Sequence, residues 1–286
     1  MRIYRYTAFW HRTAAMIFCS RILPCFLVLV LLLCTLGCRE VQHDDHADLT
    51  LGNEAFSHYD IGDAEMYYQR FLRKNITSES RWWVWNRLID IALNVRQQKH
   101  TALEYLEIML EEYHEDNDRR RSIETTLASL CKDLRLYARA ISLWESLARD
   151  PATPAEVRAE SYRNLSDAYL RQLEFTNTTE ALFACLQLDV SNTTLANCYY
   201  DLAEAQILIG ELEPAEANLR TLVSLEDVET ETLMLGTFML ADVLDQKGNL
   251  EEAFDIFASL KDTHPNNKVM EMRLDSLEKR LKKKKK

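Results

Sequence analysis

Glycine and proline are scarce: six and five in 286 residues, about 4% where average usage is roughly 12%. These residues punctuate hairpins, bulges and phosphate loops. Their shortage argues against a sandwich, a barrel or a doubly wound α/β enzyme. The glycines, at 37, 52, 62, 210, 236 and 248, leave no room for a P-loop or a GxGxxG turn. No HExxH, GxSxG or kinase loop appears either. Cysteine is also short where it would matter. Cys19, Cys25, Cys34 and Cys38 crowd the first 38 residues, leaving Cys131, Cys185 and Cys198 with no CxxC pair. Zinc and redox motifs are therefore missing. What the chain does have is 47% hydrophobic and 28% charged residues, ample for a core of helices. No catalytic residue, cofactor or metal is expected.

The N-terminus lacks acids altogether before Glu40, while Arg2, Arg5, Arg12 and Arg21 are basic and Ile22 to Leu36 is almost wholly apolar. A positive segment followed by a short apolar run marks a secretory leader, and the run is short for a transmembrane helix of about 20 residues. It ends Thr35-Leu36-Gly37-Cys38, which resembles a bacterial lipobox, although Thr35 stands where leucine is usual. The resemblance implies cleavage after residue 37 and a lipid on Cys38; a plain signal peptide or an uncleaved anchor is the alternative. Met16 gives a leader of more ordinary length and is the suspected start. Arg39, not aspartate, follows the cysteine, which by resemblance to the enteric sorting rule implies the outer membrane, facing the periplasm. Residues 38–48 are polar and read as a tether. His43 and His46 within it could bind a divalent metal, which makes a metal-binding protein or an accessory of an envelope enzyme the alternative function.

The body shows a repeat of 20–50 residues. Ala203, Gly210, Ala215, Leu219 and Leu222 are echoed by Ala241, Gly248, Ala253, Phe257 and Leu260, with Pro265 closing the unit. These packing positions resemble those of the tetratricopeptide repeat, in which small residues let two helices approach and a glycine turns the chain between them. Weaker copies run back through Ala181, Ala140, Ala102 and Ala64, and from Ala64 to Ala253 the spacings are 38, 38, 41, 34 and 38. The copy at Ala181 is read as having extra turn residues, and Gly62 as turning the first hairpin. The expected fold is all-α, a right-handed α-solenoid of about six helix hairpins over residues 49–267. Residues 268–286 form a capping helix, with Val269, Leu274, Leu277 and Leu281 at helical spacing, and a lysine tail.

An envelope location would permit a disulfide between Cys185 and Cys198, which lie on consecutive expected helices. The preferred reading is two buried thiols, since free cysteine packs as a small hydrophobe. Without the leader and Lys279 to Lys286 the body has a net charge of −22, which argues against nucleic acid. The lysine tail could touch anionic lipid or simply be solvated. By resemblance to the repeat family, the ligand, a protein or extended peptide, meets exposed positions of each first helix. These are Arg163, Asp167 and Arg171, then Tyr200, Glu204 and Ile207, then Phe238, Asp242 and Asp245. The membrane is reached through the N-terminal lipid. Of Trp82, Trp83 and Trp85, the family pattern implies a core role near Trp85.

Overall fold

Every hairpin among the described residues closes through one residue held in the left-handed conformation: Tyr59, Gln97, Arg135, Leu173, Gly210 and Gly248, with φ between 55° and 83°. Only two of the six are glycine. At five of these turns the next amide donates back across the turn: Asp60 to the Ala55 carbonyl, Leu136 to Cys131, Glu174 to Tyr169, Glu211 to Gln206 and Asn249 to Leu244, at 2.8–3.0 Å. This is the Schellman closure of a helix C-terminus. It satisfies carbonyls that would otherwise be orphaned, and it launches the second helix from a fixed geometry. At the remaining turn Gln98 reaches the Ala92 carbonyl at 2.7 Å, one residue further back, because the helix before it ends in a π-turn, Ile91–Val95.

The computed structural model describes residues 47–261 and 265–284. The leader, Cys38, the His43 and His46 segment and the last two lysines lie outside the described residues. Among the described residues there are thirteen α-helices and no strand. The helices are α1 (Ala47–Ser57), α2 (Ile61–Lys74), α3 (Arg81–Asp90), α4 (Lys99–Glu112), α5 (Asn117–Asp133), α6 (Tyr137–Arg149) and α7 (Ala155–Arg171). They continue as α8 (Phe175–Leu186), α9 (Asn192–Leu208), α10 (Leu212–Ser224), α11 (Thr230–Lys247), α12 (Leu250–Leu260) and α13 (Asn267–Lys284). Six hairpins result, α1–α2 to α11–α12, followed by α13. The fold is an all-α solenoid of helix hairpins.

Counting from the left-handed residue gives one register for the whole chain. Nine residues on stand Tyr68, Leu106, Trp144, Leu182, Leu219 and Phe257, none more than 2% exposed. Five residues on stand Ala64, Ala102, Ala140, Thr178, Ala215 and Ala253, all essentially inaccessible. The fourth small residue is thus Thr178, not Ala181, and the spacings of 41 and 34 become 38 and 37. Thr178 fits the slot because its hydroxyl donates to the Glu174 carbonyl one turn back at 3.0 Å, so no polar group is stranded. The fourth turn therefore has no extra residues. Gly62 is likewise reassigned: it lies within α2, and Tyr59 turns the chain.

Two compact units divide the chain, Met1–Val84 and Trp85–Lys286. In the first, α1 and α2 approach so closely at Gly52 that a Cβ there would sit 2.7 Å from the Tyr68 ring. The Tyr68 hydroxyl donates to Asn53 at 2.9 Å. Asp48 belongs to α1, not to an extended tether, and its buried carboxylate accepts from Arg70 and from Lys74 at 2.8 Å. Those hydrogen bonds hold it below the usual carboxylate range, against the opposing effect of burial.

In the second unit one large buried cluster runs through α9 to α13, and smaller ones lie among α7, α8 and α9. Trp85 is buried, and its Nε1 donates to Glu112 at 3.0 Å; in the first unit Trp83 is the more exposed tryptophan, edge-to-face with Tyr68 at 5.8 Å. Val269, Met270, Leu274, Leu277 and Leu281 of α13 pack onto the cluster of Leu240, Leu244 and Phe257, so α13 does cap the last hairpin. Cys185 of α8 and Cys198 of α9 are joined in a disulfide, where two free thiols were expected. Both sit in one buried cluster with Ala159, close enough to bond. Cys131 is the free, buried cysteine of the described residues.

Candidate functional site

The register also sorts the solvent side of the first helices. Seven residues before five of the six left-handed positions, Gly52, Ala128, Ser166, Ala203 and Ala241 are small and turned inward; before Gln97, where the helix ends in a π-turn, the place falls on Asp90. Ten, six and three before it, the side chains share one stripe, as i, i+4 and i+7 must on a helix. The expected binding residues fall on or beside this stripe. In the second unit it is carried by α5, α7, α9 and α11.

Between α7 and α9 the stripe opens into a cleft of about 240 Å³, floored by Thr178 and Leu182 of α8. Its walls hold a chain of paired charges. Arg163 Nε donates to Asp201 at 2.6 Å, and its Nη1 lies 3.1 Å from Glu160. Lys132 of α5 lies 3.2 Å from Asp167, which also accepts from Arg171 on its own helix. Burial pushes the Asp201 carboxyl up, and Arg163 pulls it back part of the way. Glu204 is pushed up first by burial and then by the negative charges of Asp201 and Asp167. Tyr200 is half-buried, with its hydroxyl pushed up by burial and by Glu204 and Asp201.

The structure therefore brings Arg163, Asp167 and Glu204 together around one cleft, with Arg171 paired at its edge and Tyr200 one turn before Glu204 on α9 but outside the lining. The other expected residues are placed differently. Phe238 turns toward the core, edge-to-face with Phe257 at 5.3 Å. Asp242 accepts from Arg273 of α13 at 3.0 Å, and Asp245 pairs with Arg280 of the same helix. The capping helix already engages both. Ile207 packs with the core cluster beneath it. Asp201 and Lys132 are members of the cleft that the sequence reading did not name. Asp201 stands beside Tyr200, one residue off the stripe, so a reading confined to the stripe passes over it.

A second recess, between α6, α7 and α8, is lined by Glu145, Tyr162, Tyr169 and Asn177. The Tyr169 hydroxyl donates to Glu145 at 3.0 Å and is pushed up to about 12 by burial and that carboxylate. Among the described residues no group of three or more His, Cys, Asp or Glu is placed to hold a metal. No described helix is long and apolar enough to cross a membrane.

The family model for the tetratricopeptide repeat matches residues 237–267, a stretch that takes in the C-terminal part of α11 and all of α12. That stretch is a tetratricopeptide repeat. Solved structures with this repeat fold are similar along most of the chain's length. PilW, a widely conserved type IV pilus biogenesis factor, aligns at 17% identity and a TM-score of 0.51, over 83% of this chain and 99% of its own. The apo form of RapI gives 12% identity and a TM-score of 0.54, over 84% and 76%. A putative kinesin light chain of Podosopora anserina, with nearly identical repeats, gives 18% and 0.52, over 66% and 100%. At these identities the likeness is one of fold. No curated protein matches the sequence. The repeat matched by the family model holds Gly248, Ala253 and Phe257, the positions that fix the register for the other five hairpins.

Proposed function

We propose that this tetratricopeptide repeat protein is a scaffold of the bacterial cell envelope, tethered by a lipid on Cys38. It holds a protein or an extended peptide along the first-helix face of its second unit. The observation that carries the reading is the cleft between α7 and α9. It is open to solvent, floored by Thr178 and Leu182 and walled by positioned polar side chains, the composition expected of a recognition surface rather than of a solvated helix face. A body net charge of −22 supports a protein partner over nucleic acid. Arg39 after the lipidated cysteine supports the outer membrane, facing the periplasm.

Photo-crosslinking in the native envelope tests the scaffold role. The full chain carrying benzoylphenylalanine at Tyr200 should trap a discrete partner. The same group at Asp255, exposed on α12, should not. Equal trapping at both positions, or none at either, overturns the role. The anchor is tested separately by palmitate labelling. Label should be present on the natural chain and absent from Cys38→Ala; label that persists in the variant, or never appears, removes the tether.

A further inference from the structure

Six residues before the left-handed turn, three consecutive first helices of the second unit carry an acid: Asp167 on α7, Glu204 on α9 and Asp242 on α11. Equivalent positions in a repeat meet equivalent surroundings, so their partners can be compared directly. Asp167 is held by Lys132, which comes from the preceding first helix. Asp242 is held by Arg273, which comes from α13, lying where the next first helix would. Each flanking acid thus takes a cation from a neighbouring element. Among the described residues, Glu204 makes no ion pair, and the charged groups acting on it, Asp201 and Asp167, are both negative. The cleft it borders contains Glu160, Asp167, Asp201 and Glu204 against Lys132 and Arg163, two acids in excess.

Resting on the scaffold reading above, we propose that Glu204 is the position that accepts a cation from outside the chain: the cleft between α7 and α9 selects a partner segment that places a lysine or arginine on Glu204. The pairs Lys132–Asp167 and Arg273–Asp242 show the interaction that this register makes when it is satisfied. The half-buried Tyr200, one turn before Glu204, offers a flat amphipathic surface beside it for the segment's backbone or an apolar neighbour. Glu160, Asp167 and Asp201 already have cationic partners. Discrimination therefore falls on Glu204.

A displayed library of random decapeptides, selected on the full-length protein in detergent, tests this. The natural chain should enrich peptides rich in lysine or arginine. Enrichment should fall by about tenfold with Glu204→Gln, the effect of losing one partly desolvated charge partner, and further with Glu204→Lys. Asp255→Lys makes the same change of charge on α12, away from the cleft, and should leave the enrichment intact. Equal losses in Glu204→Lys and Asp255→Lys would show only the pull of an acidic protein on cations and would overturn the assignment. A selected pool without lysine or arginine would overturn it too, while leaving peptide binding standing. Failure to enrich any pool would remove the scaffold reading together with it. Circular dichroism melts of the variants, expected to match the natural chain because Glu204 makes no ion pair among the described residues, separate lost recognition from lost fold.

Discussion

At Leu173 an L-residue with a branched side chain holds φ at 61°, a conformation that costs roughly 1–2 kcal/mol outside glycine. The side chain recovers little of that cost, being 72% exposed. Leu173→Gly should therefore stabilise the protein by about 0.5–1 kcal/mol, after allowance for the greater freedom of glycine in the unfolded chain. A thermal melt should shift up by a few degrees; an unchanged or lower midpoint would count against a strained turn. The same position shows where the sequence misled. Glycine marks the turn at Gly210 and Gly248, and those two repeats are plain to read. At Tyr59, Arg135 and Leu173 the geometry is the same without glycine, so a search for glycine lands on Gly62, inside a helix. Thr178 hid for a related reason: its hydroxyl is satisfied within its own helix, which lets a polar residue do the work of alanine.

At the level of the element, the disulfide between α8 and α9 and the capping contact of α13 are the two devices to test. Cys185 and Cys198 are 13 residues apart, and closing a loop of that size stabilises a fold by about 3 kcal/mol. Replacing both by alanine, or reducing the pair, should lower the midpoint of urea unfolding accordingly. Under non-reducing denaturation Cys131 should be the cysteine of the described residues that takes an alkylating label. Labelling of all three would show that the thiols stay free. Composition and spacing fit a thiol pair as well as a bridge, so only the packing of Ala159, Cys185 and Cys198 in one cluster decides between them. Leu277→Asp puts a charge into the buried face of α13, where Leu277 is 1% exposed. The cost should exceed about 3 kcal/mol, and hydrogen exchange should rise first in α11 and α12, which α13 covers. Uniform loss of protection throughout the second unit would show that hairpins do not melt in sequence. The spacing of apolar residues announced α13. It gave no sign that Arg273 and Arg280 reach Asp242 and Asp245, because those pairs join residues 31 and 35 apart.

For the molecule as a whole, two sets of carboxylates pull the pH dependence of stability in opposite directions. Burial raises Asp201, Glu204, Asp242 and Glu124 above their ordinary values. The folded state then binds protons more readily than the unfolded one, and stability grows as the pH falls from 7 through those raised values. Glu156 is held below 4.5 by its hydrogen bonds to Thr194 and Ser191, and Glu216 by Lys247 and Arg220. Stability from these two is present above about 4.5 and is lost as the pH falls through their lowered values. Melting midpoints should accordingly peak between neutrality and pH 4.5 and fall on the acid side. The relief of a net charge of −11 acts in the same direction as the first set. A midpoint that declines steadily from pH 7 downward would contradict the burial of the cleft acids.

The constant register has a mechanical consequence. Repeats that touch only their neighbours come apart one at a time. Pulled by its two ends, the described part of the chain would lengthen in nearly equal steps of one repeat, about 130 Å of extended chain for 38 residues. Where the Cys185–Cys198 bridge spans 13 residues that length stays locked, so the shortened step would mark the fourth and fifth hairpins on a force trace. A protein held by lipid at one end and by a partner along its face would then act as a tether of graded length, paying out slack before it lets go.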